Sequence, residues 1–171
     1  VEGVRRMLVE CWGREEDVAE GANLTASSLI WAVEHGLPET VQLLEARWPG
    51  LAIDDPVTGY AAAVALAACG DQERAGRLAE AAAAAARKVP GDYTTRLQCG
   101  LLLAKWGAAD WAVREYRAVI DDPGSPAGEF ALAGILFSEF LHEQGRDEEA
   151  ADVLRRVVGG LLVAALFVEE L

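Results

Sequence analysis

Basic residues are few in this chain beside acidic ones. It carries 15 Lys and Arg against 28 Asp and Glu, a formal net charge of -13. The few cations are nearly all Arg and are scattered, as at Arg14, Arg74, Arg114 and Arg146. A field of that sign repels phosphate backbones and anionic lipid surfaces, and no local basic stripe offsets it. The composition therefore argues against nucleic acid and favours neutral or basic partners. Long apolar runs are missing too: the longest are the ten residues Tyr60 to Cys69 and the eight residues Leu161 to Val168, well short of the roughly 20 that a membrane span needs. Membrane insertion is not expected.

Cysteine is sparse and unpaired. Cys11, Cys69 and Cys99 are far apart, form no C-x-x-C and leave one over from any single disulfide, a usage that fits core thiols in a reducing, cytoplasmic setting. The sequence begins at Val1 with no charged leader before an apolar core, and is expected to be a module of a longer protein. Proline is limited to six residues and aromatics to 7%, and no period-2 strand or hairpin pattern appears. There is no G-x-S-x-G, phosphate loop, dinucleotide fingerprint or H-E-x-x-H, so neither enzymatic activity nor a cofactor is expected.

What the chain does have is a spaced glycine. Gly36, Gly70, Gly107 and Gly145 lie 34, 37 and 38 residues apart, each followed five residues later by a small apolar residue, Val41, Ala75, Ala112 or Ala150. A glycine in the left-handed C-cap conformation closes one helix, and missing bulk one turn into the next lets two backbones approach. The pattern predicts antiparallel helical hairpins, and the Ala-rich stretches agree with helix throughout.

Read along the chain, Glu2 to Trp12 carries a helical stripe of Val4, Met7, Leu8 and Cys11, and Arg14 to Glu20 gives a second short helix before Gly21. Residues 1–23 form an N-terminal helical cap in this reading. The first pair runs over 24–50, as Leu24 to His35 behind an Asn23 or Thr25 N-cap, then Pro38 to Arg47. The second covers 57–90, with Asp71 capping its second helix. The third covers 93–123, capped by Asp92 and stopped by the run Asp121 to Pro126. The fourth covers 127–158, with Asp147 in the first turn of its second helix. After Gly159 and Gly160 a separate apolar helix is predicted, a half-repeat over 160–171.

The third pair resembles a tetratricopeptide repeat, two helices of about 34 residues in all with small and large residues at fixed places. Counting from its turn glycine Gly107, Gly100 stands seven before, Leu103 four before, Ala112 five after, Tyr116 nine after and Val119 twelve after, followed by Asp121, Asp122 and Pro123. Arg96 stands where the family has a large aromatic. The fourth pair matches with Ser138, Leu141, Ala150, Leu154 and Val157, and the second with Ala63, Leu66, Ala75 and Ala82. In the first, Glu45 replaces a large apolar residue and Leu29 a small one. The resemblance spans roughly 24–158. It implies an all-α, right-handed superhelix of stacked hairpins whose concave groove, lined by the first helix of each pair, binds segments of other proteins.

Carried over on that resemblance, the groove positions are Asn23, Ile30 and Glu34; Tyr60 and Val64; Thr94, Leu97, Leu101 and Lys105; and Leu132, Ile135, Glu139, His142 and Glu143. The groove would be apolar in its middle and acidic at its C-terminal end. Some family members clamp an acidic C-terminus with several Lys, Arg and Asn, whereas only Asn23 and Lys105 are of that type here. The expected partner is an apolar or amphipathic protein segment with a basic flank. Apolar stripes at helical spacing are also what a core produces, so Leu97, Leu101, Leu132 and Ile135 carry both readings, groove or core.

Two features stand apart. Glu139-x-x-His142-Glu143 places carboxylate and imidazole on one helix face, as in di-iron bundles. Those sites need a second such motif, and His35, the only other histidine, has none, so no metal is expected. The predicted last helix is apolar all round, with Leu161, Leu162, Leu166 and Phe167 as its large side chains. A terminal repeat normally presents a polar outer face. This helix therefore calls for a continuing chain, another subunit or a fold-back. The expected function is a non-catalytic protein-binding scaffold. The alternatives are a spacer or oligomerisation arm working through that helix, and a regulatory repeat region attached to a catalytic domain elsewhere.

Overall fold

The computed structural model describes residues 18–37, 55–88 and 90–168. Every regular element among them is helical: α1 Val18–Glu34, α2 Pro56–Ala68, α3 Gln72–Ala86, α4 Tyr93–Lys105, α5 Ala109–Ile120, α6 Ala127–Glu143 and α7 Asp147–Val168. The chain divides into two compact units, residues 1–88 and 89–171.

The glycine spacing is realised at all four positions. Gly36, Gly70, Gly107 and Gly145 have φ of 70°, 85°, 75° and 72°, the left-handed region that side chains with a Cβ resist. Each closes its helix with the same pair of bonds. Leu37 N–H donates to Ala32 O (2.7 Å) and Gly36 N–H to Val33 O (3.0 Å). The bonds recur as Asp71 to Leu66 (3.0 Å) with Gly70 to Ala67 (3.0 Å), and as Ala108 to Leu103 (2.9 Å) with Gly107 to Ala104 (3.1 Å). They recur once more as Arg146 to Leu141 (2.9 Å) with Gly145 to His142 (2.8 Å). These are four Schellman turns in one register. The small residues five positions on, Ala75, Ala112 and Ala150, are all buried; Val41 lies outside the described residues, as do the helices expected over 2–12 and 38–47.

In the first unit α2 and α3 form a hairpin and α1 packs on α2. Asp55 and Asp71 accept from the N–H groups of Thr58 (2.8 Å) and Arg74 (3.1 Å) and so cap the two hairpin helices, with Pro56 at the first turn where its missing donor costs nothing. The core is alanine packed around Leu29, Tyr60 and Leu66.

In the second unit α4 pairs with α5 and α6 with α7, while α6 also packs against α4 and α5. Asp92 caps α4 through the Thr95 N–H (3.1 Å) and takes the Thr95 hydroxyl (2.6 Å); those bonds hold its carboxyl below the usual range. Close approach is built in twice. A Cβ at Gly100 would lie 2.8 Å from the Tyr116 ring, and one at Gly134 would collide with Val157. Tyr116 is buried between hairpins, its ring 5.7 Å from that of Phe137 and 6.4 Å from that of Phe140. Arg96, where the repeat pattern leads one to expect an aromatic, donates to Ala118 O (3.2 Å) and ties α4 to α5 by a polar bond instead. Arg156 of α7 donates to Ile120 O (3.0 Å) and Asp121 (2.6 Å), closing the C-terminal end of α5.

Three expectations are corrected. Helix α1, Val18–Glu34, runs through Gly21, Asn23 and Thr25, so no short helix ends at Gly21 and neither Asn23 nor Thr25 is an N-cap. Helix α7 runs unbroken through Gly159 and Gly160 to Val168, so there is no separate half-repeat. A helical glycine costs only about 1 kcal/mol relative to Ala, and packing overrides it: Gly160 lies under the Phe130 ring, 2.9 Å from where its Cβ would be. Cys69 is exposed rather than in the core, because it is the C-cap residue of α2; Cys99 is buried.

Candidate partner-binding face

Helices α4 and α6 lie side by side, and most of the sequence-derived groove positions of the second unit are presented on them. Thr94, Leu101 and Lys105 are exposed on α4, and Leu132, Ile135, Glu139, His142 and Glu143 on α6. The spacings of seven and four on α4, and of three, seven, ten and eleven from Leu132 on α6, keep each set on one side of its helix. Leu101, Leu132 and Ile135 are 51%, 47% and 52% exposed, large values for side chains of this size.

Leu97 is not among them. It is 5% exposed and belongs to the core. In the first unit the same separation appears: Ile30 and Tyr60 are buried, Val64 is half-buried and Glu34 is exposed. Asn23 lies on α1. The face that the structure assembles is therefore the α4 and α6 surface rather than one side chain from every expected position.

Its C-terminal end is acidic. Glu139 and Glu143 lie one turn apart on α6, and their charges add to burial in pushing the Tyr116 hydroxyl up to about 12. His142 Nδ1 sits 2.6 Å from Asp147 Oδ1 across the Gly145 turn, both groups exposed. That bond, followed by the Asp147 charge, raises the imidazole above its ordinary value. Asp147 engages His142, and among the described residues no group of three or more His, Cys, Asp or Glu is placed to hold a metal ion. Arg146 forms a two-pronged pair with Glu149, both bonds 2.7 Å, which lowers the Glu149 carboxyl. Lys105 is the only Lys or Arg among the positions carried over to this face.

Leu161 and Leu162 of α7 are exposed as well; Leu166 lies on the same helix and Phe167 beside it. Sequence reading passed over two neighbours on that helix, Leu154 and Val158, which are also exposed. Their signal lies in the repeat register, where they stand nine and thirteen residues after Gly145 as Tyr116 and Ile120 do after Gly107. Among the described residues no helix is long and apolar enough to cross a membrane.

No protein-family model, curated protein or solved structure matches the chain.

Proposed function

We propose that this chain is a non-catalytic scaffold of stacked tetratricopeptide-like hairpins, forming a right-handed superhelix, that holds an apolar or amphipathic segment of another protein. The segment lies along the first helices of the hairpins and carries Lys or Arg at the end that meets Glu139 and Glu143. The observation behind this reading is the set of large apolar side chains left in solvent on adjacent helices, Leu101, Leu132 and Ile135, beside two carboxylates. Contiguous exposed apolar surface is avoided unless something covers it, and a net charge of -13 selects a basic flank. Four turns in one register support the repeat reading, and the three cysteines, far apart in sequence, support a cytoplasmic setting.

The test is quantitative capture from a lysate of the source cell by the wild-type chain and by Leu101→Glu with Leu132→Glu. Both positions are exposed, so the double variant is expected to fold, with unchanged circular dichroism, and to lose the captured protein. Equal capture by both would refute the face.

A further inference from the structure

Superposing the third and fourth hairpins by their turn glycines exposes a difference at one end of the second unit. Ten residues before the glycine stand Leu97 and Ile135; nine after it, Tyr116 and Leu154; thirteen after it, Ile120 and Val158. In the third hairpin these residues are 5%, 1% and 5% exposed. In the fourth they are 52%, 42% and 56% exposed. The residue type is apolar at every position, while the surroundings have reversed. The hairpin that follows packs on the third: α6 meets α4 and α5 and lays Phe137 and Phe140 against Tyr116. Ile135, Leu154 and Val158 therefore form an end face of the kind that is covered one hairpin earlier. They are extended along α7 by Leu161 and Leu162, the latter 61% exposed.

We infer that this end face is a self-docking surface, on which the α6 and α7 end of a second copy packs about a two-fold axis. Three observations choose that occupant. First, the face continues an interface already used inside the chain, so its apolar positions match a helical surface. Second, the acidity that would hold copies apart is missing here: between Ala150 and Val168 the charged residues are Asp152, Arg155 and Arg156. Asp152 pairs with Arg155, and Arg156 pairs with Asp121. Beyond Ala150 a basic segment finds only the paired Asp152 on this helix, whereas an identical stretch meets no strong like-charge field. Third, the α7 stripe is self-complementary. Leu154, Val158 and Leu162 recur every four residues on one face. Two such helices crossing antiparallel at Val158 set Leu154 of each copy opposite Leu162 of the other. Gly159, with nothing within 4 Å of a Cβ position, leaves the centre of the crossing free of bulk.

The inference shares only Ile135 with the partner-binding reading, and its test rests on the α7 residues Leu154, Val158 and Leu162, which that reading does not use. Its test is light scattering coupled to gel filtration, over a concentration series of the 171-residue chain. The expected mass is twice the 18.2 kDa of one chain, falling toward one chain on dilution. Leu154→Glu with Val158→Glu, and separately Leu162→Arg, are expected to give one-chain mass at every concentration, with unchanged circular dichroism and cooperative melting. Leu162 is the most exposed of these side chains, so Leu162→Arg decides the matter should the double variant not fold. Leu101→Glu with Leu132→Glu is expected to remain a dimer. One-chain mass for the wild type at its highest soluble concentration would overturn the inference. So would a dimer that survives both α7 variants, or a species that grows beyond two chains.

Discussion

Leu97 and Leu101 stand one helical turn apart on α4, and they meet opposite surroundings, one packed into the core and the other half in water. Sequence periodicity gives both the same reading, because burial here depends on what the next hairpin lays across α4 rather than on the helix itself. The account predicts that Leu97→Ala costs about 2–5 kcal/mol of stability, while Leu101→Ala changes it by about 0.5 kcal/mol or less, both read from urea unfolding. The turn glycines were legible for the contrary reason. A left-handed residue between two helices is a local demand, which Gly36, Gly70, Gly107 and Gly145 meet without help from distant packing. His142 offers a second residue-scale check. Its imidazole is raised by the bond to Asp147, so the pair contributes stability below the ordinary imidazole pKa of about 6.5. That contribution is lost as pH rises through the raised value. Proton NMR titration of His142 is expected to give a midpoint above the ordinary value, returning toward it in Asp147→Asn. An unchanged midpoint in that variant would remove the pair from the account.

Helix starts were readable where a carboxylate does the capping. Asp71 and Asp92 each accept from the N–H three residues on, a geometry confined to one turn. Helix lengths were less readable. Gly21 inside α1 and the Gly159–Gly160 pair inside α7 look like stops, yet both helices pass through them, and at Gly160 the reason is visible in the contact with Phe130. The two glycines of α7 should therefore respond differently to alanine. Gly159 has open space around it within one chain, so in the Leu162→Arg background, where the chain is expected to stay single, Gly159→Ala is expected to raise stability by about 0.5–1 kcal/mol. Gly160→Ala must displace the Phe130 ring and is expected to gain nothing or to lose. Thermal unfolding of the two variants checks this, and no gain from Gly159→Ala would argue that α7 is not continuous there.

At the scale of the whole molecule, the sequence revealed the all-α class, the hairpin register and most of the exposed positions on α4 and α6. Of the end face it flagged Leu161 and Leu162 but not Leu154 and Val158, because Leu154 and Val157 both satisfy the repeat pattern and packing against α6 decides which of them stays in water. Val157 turns under Gly134 and is buried, whereas Leu154 is left exposed. Acidity is uneven on the same scale. It gathers at Glu139 and Glu143 and is absent from the outer half of α7, which separates a face suited to a basic-flanked partner from one suited to a second copy.

The partner-binding claim is tested most directly by selecting binders from a displayed random-peptide library on the immobilised chain, in parallel with Leu101→Glu and Leu132→Glu combined. The account predicts enrichment of peptides with an apolar centre and a Lys or Arg flank on the wild type, lost on the variant while the variant still melts cooperatively. No enrichment on the wild type, or the same peptides enriched on both proteins, would contradict it.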